Sequence, residues 1–397
     1  MRLISAAWER AAEVREAAQG WLRVGAIDEP TGHAIREAFP DPCITPSAVW
    51  RVLTACVVAA VLLCTFEAFS IAFRPGKIGH QVLLFLFAGA SLVAADLLEA
   101  SPRFARRGAA GAVSFLGVGF LIVGFGLFLL ETMMLRFDHV IDVIDAILMA
   151  SVLAWAVSCW RWGSPLFAAL SALSLFLFLG RLSYGRVLWV LVGAALAGLA
   201  ARLLDEAPLA PSHRRAAAAL VVAGVVAAYA AVNVYSLEAH LLEDLGRLAA
   251  RRIVASRGLI ILAALATAVV PLAVLTWGAR SRRTFLLDTG IVLLALSLVT
   301  LRHYVHIAPL WATLILSGAA LVILALTVER ALRRTPGGDI AGFTADPLFS
   351  DERRQHALQV VPVVATFTSA APGPAAQEKD FTRGGGKFGG GGAGGKF

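Results

Sequence analysis

The sequence predicts an all-α, polytopic transmembrane helical bundle of about ten spans, with short helices in front and a disordered Gly-rich tail behind. Three observations carry that prediction. Of 397 residues, 58% are apolar and only 16% charged, whereas a soluble domain is about half apolar and about a quarter charged. Mean hydropathy is +0.76. The apolar residues also fall in blocks of roughly 20, the length that crosses a bilayer core. A soluble enzyme and a disordered chain are excluded. Barrel strands are excluded as well, because the blocks are too long and do not alternate.

Residues 1–47 read as a cytoplasmic helical segment. Ile4, Trp8, Ala11, Val14, Ala18 and Leu22 recur at roughly helical spacing. Glu9, Arg10, Glu13, Arg15 and Glu16 interrupt the apolar pattern, unlike a signal peptide. Asp28-Glu29-Pro30-Thr31 starts a second short helix, through Ile35 and Phe39. Pro40, Pro42 and Pro46 end it. The expected spans are 48–73, 81–98, 108–133, 140–159, 164–180, 185–204, 215–235, 257–278, 284–301 and 307–328, within a bundle domain of 48–329. Short connections make neighbours antiparallel. Residues 330–397 form a cytoplasmic linker and tail, broken from the last helix by Pro336-Gly337-Gly338. The tail cannot bury a core and is expected to be disordered in isolation. Its two Gly-Gly-Lys-Phe units suit either a flexible tail or a docking tag for a protein partner.

Arginines orient the spans. With the N-terminus inside, the inner loops and flanks hold Arg103, Arg106, Arg107, Arg161, Arg214, Arg215, Arg280, Arg282, Arg283, Arg330, Arg333 and Arg334. The outer loops are lighter, except for 236–256, an amphipathic helix by pattern that carries Arg247, Arg251 and Arg252. Both termini are therefore expected in the cytoplasm. Trp50, Trp160, Trp162, Trp189, Trp277 and Trp311 fall near span ends, where an interfacial belt belongs. Lysine is confined to Lys77, Lys379, Lys387 and Lys396, and the Arg, Ala and Gly excess resembles a GC-rich bacterial genome. The expected location is a bacterial inner membrane. The net charge of +8 lies at span ends and not on one continuous basic face, so no nucleic-acid partner is expected. The bilayer is the expected partner. Cys43, Cys56, Cys64 and Cys159 show no ligand-like spacing, and neither disulfides nor a zinc–thiolate site is indicated.

Two resemblances follow. The tail Gly384-Gly385-Gly386-Lys387-Phe388-Gly389-Gly390-Gly391-Gly392-Ala393-Gly394-Gly395-Lys396-Phe397 resembles the glycine-rich C-termini of TPM-domain membrane proteins. The layout, with Gly20-Trp21-Leu22-Arg23-Val24-Gly25-Ala26-Ile27-Asp28 opening it, is similar to DUF2157-type bacterial membrane proteins. That resemblance implies a short helical segment before many spans. It carries over no activity and no site residues.

Ionisable groups inside spans cost about 2.5–3.5 kcal/mol at the centre and default to functional hypotheses. Most gather in the expected outer half. Asp138, Asp142 and Asp145 share one helical face. Glu67, Glu131, Asp142, Asp145 and Arg302 are the candidates for a ligand or ion pathway. His139, Asp142, His303 and His306 are the candidates for a nitrogen/oxygen metal site, which would suit an outward-facing hydrolase with Glu131 as base. No motif implies any other cofactor, and no nucleotide-binding or hydrolase signature occurs. Asp96 is expected to pair with Arg103 or Arg106, and Asp288 with Arg282 or Arg283. Gly117, Gly119, Gly124 and Gly126 suit close helix packing. Pro271 marks a kink. No inverted repeat with broken helices is visible. Three readings follow: a permease-like protein with an outward polar vestibule, an envelope scaffold or regulatory partner acting through its soluble ends, and a metal-assisted membrane hydrolase. Transport leads.

Overall fold

The structure, a computed structural model, describes residues 5–24, 27–40, 47–101, 108–134, 140–182, 184–206, 209–238, 257–281 and 283–304, with scattered positions from 315 to 344. Among the described residues lie α1 (Ser5–Val24), α2 (Glu29–Ala38), α3 (Ala48–Phe73), α4 (Lys77–Ala100), α5 (Ala109–Met134), α6 (Val140–Trp162), α7 (Pro165–Gly180), α8 (Gly185–Glu206), α9 (Pro211–Val232), α10 (Val234–Glu238), α11 (Arg257–Ser281) and α12 (Thr284–Tyr304). Eight of them are long and apolar enough to cross a membrane, and α7 is a shorter apolar helix. The chain is a multi-pass integral membrane protein built as a helical bundle in contact with lipid. The expected tenth span (307–328), the amphipathic stretch after 238 and the Gly-rich tail lie outside the described residues or mostly so.

The chain divides into a unit Met1–Arg334 and a unit Thr335–Phe397. In the second, Asp339–Ile340 pairs antiparallel with Phe343–Thr344.

Local chemistry sets the helix ends. Asp28 caps α2 by accepting from the Thr31 amide at 3.2 Å. Hydrogen bonds from the Thr31 side chain and backbone hold its carboxyl below the usual aspartate value. The cap is therefore complete at neutral pH and is lost as pH falls through that lowered value. Ser47 caps α3. Arg74 closes α3 in the left-handed region at φ 39°. Pro165 and Pro211 open α7 and α9 from the first turn, where a missing N–H costs nothing. α4 starts four residues before the apolar block predicted at 81, because hydropathy locates hydrocarbon depth and not the helix end.

Consecutive helices pair as α4/α5, α6/α7, α8/α9 and α11/α12. Helix α9 is the hub and touches α1, α6, α7, α8, α10, α11 and α12. One core joins Ala197, Ala201, Val221, Val225, Tyr229, Val274, Leu286 and Leu293 from α8, α9, α11 and α12. Another joins Ala95, Val113, Val118, Trp155, Trp162 and Phe167 from α4 to α7. Helix α3 is peripheral: 6% of its most apolar stretch is buried, against 22–44% for the other seven spans.

The tightest crossing is α8 on α9. A Cβ at Gly193 would stand 2.7 Å from the Gly224 carbonyl oxygen, and one at Gly224 would stand 2.5 Å from that of Gly193. Gly193, Ala197 and Ala201 on α8 meet Gly224 and Ala228 on α9, the small-residue pattern that lets membrane helices touch backbone to backbone. Of the α5 glycines, Gly117 and Gly124 face α4 and Gly126 faces Ile147, while Gly119 opens on free space.

One face of the bundle is closed by polar pairs. Asp96 accepts from Arg161 at 3.0 Å and from the Trp162 indole at 3.1 Å. Its partner is thus on α6, and the expected Arg103 and Arg106 lie outside the described residues. Arg283 pairs with Asp205 on α8. Helix α1 docks here: Glu9 accepts the Ser212 amide at 3.2 Å, in the positive first turn of α9, and Glu13 pairs with Arg214 at 3.2 Å. The His213 ring bonds the Trp160 carbonyl at 2.9 Å. Gly163, at φ 62°, is required between them, since a Cβ would stand 2.7 Å from Ser212 Oγ. Replacing Glu9 and Glu13 together by glutamine should loosen α1 without unfolding the bundle. The exposed pair contributes about 0.2–1 kcal/mol. The expected readout is faster proteolysis near 25–28 in detergent, with unchanged total helicity. An unchanged cleavage rate would show that apolar packing of Ala11 and Ala18 alone holds α1.

Candidate functional site

The predicted site residues are spread over the face opposite α1. Glu67 is exposed on α3. Glu131 on α5 accepts from the Gln81 amide on α4, and Gln81 is buried. Asp145 on α6 pairs with Arg181, just beyond α7. Arg302 lies near the end of α12, with its Nε buried and without a partner among the described residues. These groups stand on separate helices, and two of the three described carboxylates are satisfied locally. The side chains of Asp142, His139, His303 and His306 lie outside the described residues. Among the described residues, no group of three His, Cys, Asp or Glu gathers to hold a metal.

A different cluster forms where the seventh span breaks. The expected continuous span 215–235 stops at Val232, and the chain restarts as α10 after Asn233. Asn233 Oδ1 accepts the Tyr235 amide at 3.0 Å and the Ser236 amide at 3.3 Å, capping α10. Its Nδ2 donates to Tyr229 Oη at 2.9 Å. Val234 N donates to Thr267 Oγ1 at 3.0 Å.

Pro271 explains the other side. It has no N–H, so the carbonyl four residues back, Thr267 O, loses its helical donor. Ser297 Oγ on α12 takes that donor's place at 2.6 Å. A serine hydroxyl has one proton. Ser297 therefore accepts from Tyr229 Oη, 2.8 Å away, and the hydrogen bonds run one way: Asn233 to Tyr229 to Ser297 to Thr267. Asn233, Tyr229, Thr267 and Ser297 are all buried.

The depth of this junction matters. Ser297 lies 13 residues after Thr284, the start of α12, about 20 Å along the axis at 1.5 Å per residue. A hydrocarbon core is about 30 Å thick. The break itself, at Asn233, follows the 22 residues of α9, about 33 Å along that helix, so it stands at the end of a complete span, where its backbone groups still need partners. Above the break, Arg186 of α8 donates to the carbonyls of Ala231 at 2.7 Å and Ser236 at 2.9 Å, a cation on the negative end of α9.

Four buried side-chain atoms have no partner among the described residues: Ser70 Oγ, Trp189 Nε1, Ser236 Oγ and Arg302 Nε. All four stand toward the face opposite α1, and two of them can only donate. Sequence reasoning missed the break. Asn233 followed by a short polar run was its signal, and Pro271 was noted without its partner serine. Compared with known proteins, the chain matches no family model, no curated protein and no solved structure.

Proposed function

We propose that the chain is a permease-like membrane protein, in which α9, α10, α11 and α12 form the element that meets a small polar solute. One observation carries this reading. Helix α9 ends at Asn233 beside α11, which runs unbroken through Pro271, and the backbone groups freed at the two places bond Thr267 Oγ1 and Ser297 Oγ of neighbouring helices. Backbone groups freed at a helix end and at a proline, and held by exchangeable side-chain partners, are a way for membrane proteins to present polar groups to a solute. Each of these bonds can be given to a solute group and returned. The unpartnered donors above the junction favour a solute rich in acceptor oxygens.

Accessibility tests the reading. In a cysteine-free background, Ser236→Cys and Thr300→Cys are placed in proteoliposomes and treated with a membrane-impermeant methanethiosulfonate. Both should react from one side, faster than Leu296→Cys on the exposed lipid face of α12. Silence at both positions, with normal reactivity after denaturation, would refute a polar route to the junction.

A further inference from the structure

We infer that α3 is a docking face for a second copy of this chain, an inference independent of the proposed route. Helix α3 turns Val58, Leu62 and Phe66 toward α4 and α5. The rest of its surface meets no neighbour among the described residues: Cys56, Ala60, Cys64, Glu67, Ala68 and Arg74 are all exposed. Two of these carry charge. Glu67 sits six residues before the end of the span and Arg74 sits at its cap. Neither has an ion-pair partner among the described residues, and the two do not pair with each other.

The charges choose the occupant. A lipid tail offers Glu67 nothing, and an apolar partner helix would bury it unpaired. A second copy supplies what the first lacks. Two copies inserted in the same orientation are related by a two-fold axis along the membrane normal, so one patch meets itself at equal depth. Glu67 of one copy and Arg74 of the other are then seven residues apart in height, about 10 Å. That is the combined reach of the two long side chains, and the symmetry makes the pair twice. Along the same exposed face, Cys56, Ala60, Cys64 and Ala68 repeat every four residues and keep the helix surface low enough for close approach. The same kind of surface makes the α8/α9 crossing within the chain.

The native cysteines report on this contact. Full-length protein carrying Cys43→Ser and Cys159→Ser, in proteoliposomes at high lipid excess, is oxidised with copper phenanthroline. More than half the chain should run as a disulfide-linked dimer through Cys56 or Cys64. Ala68→Leu should reduce that yield at least fivefold. Glu67→Arg should do the same, and adding Arg74→Glu to it should restore the dimer, which a misfolded variant could not do. A monomer whose Cys56 and Cys64 both react fully with a maleimide overturns the inference. So does a dimer yield that ignores Ala68→Leu and the charge swap, since random collision behaves that way.

Discussion

Gly224→Leu should take the bundle apart at its tightest seam. The new side chain would meet the Gly193 carbonyl and Ala197 of α8, which are backbone and cannot turn aside. Helices α8 and α9 must separate, and α9 is the helix that every element of the second half leans on. Overpacking costs about 1–3 kcal/mol and occasionally more. Backbone opposition puts this case at the upper end, and Gly193→Leu should match it. Gly198→Leu is the control, because a Cβ there meets nothing within 4 Å. Thermal unfolding in mild detergent, followed by loss of the monodisperse peak, measures all three. Equal midpoints for Gly198→Leu and Gly224→Leu would show that the crossing is looser than described.

Arg181→Met should have the second largest effect. Arg181 is 9% exposed and its partner Asp145 29% exposed, so the guanidinium is what makes a charged Asp145 tolerable there. Removing one member of a buried pair costs about 3–5 kcal/mol, most of it from the stranded charge. Partial exposure of Asp145 sets the expectation near the lower figure. The double change Asp145→Leu with Arg181→Met removes both charges and should recover most of the loss. Titration with sodium dodecyl sulfate at constant dodecyl maltoside reads the difference. If the double variant is as weak as the single, packing and not charge explains the loss.

Hydropathy made the spans legible, since hydrocarbon imposes one length and one polarity on every crossing. Positions 48–73, 284–301 and 164–180 lie within or against the helices found. What it could not show was which helix an ionisable group faces. Asp96 found Arg161 and Trp162 on α6 because helix ends converge at the face, a contact 65 residues away in sequence. Trp162 and Trp189 were expected in an interfacial belt, yet both are buried, whereas Trp160 is 74% exposed. The junction at Asn233 was hidden for a related reason. Its meaning depends on Ser297 and Thr267, which belong to other spans. Glu67 was singled out by cost alone, and its exposed placement on α3 was beyond reach of pattern.

The α1 contact carries a consequence for assembly in time. Glu9 bonds an amide 203 residues further along the chain. Synthesis from the N-terminal side makes α1 long before its seat on α9. Five long apolar spans and the shorter apolar α7 come before that seat, and α8 must have turned to bring Pro211 back to the α1 side. Docking of α1 is therefore a late event that only a correctly threaded chain can complete. A chain that loses or inverts one span delivers Ser212 and Arg214 to the wrong side of the bilayer and leaves α1 exposed, in reach of proteases. Helix α1 thereby serves as the receipt for correct insertion of α9.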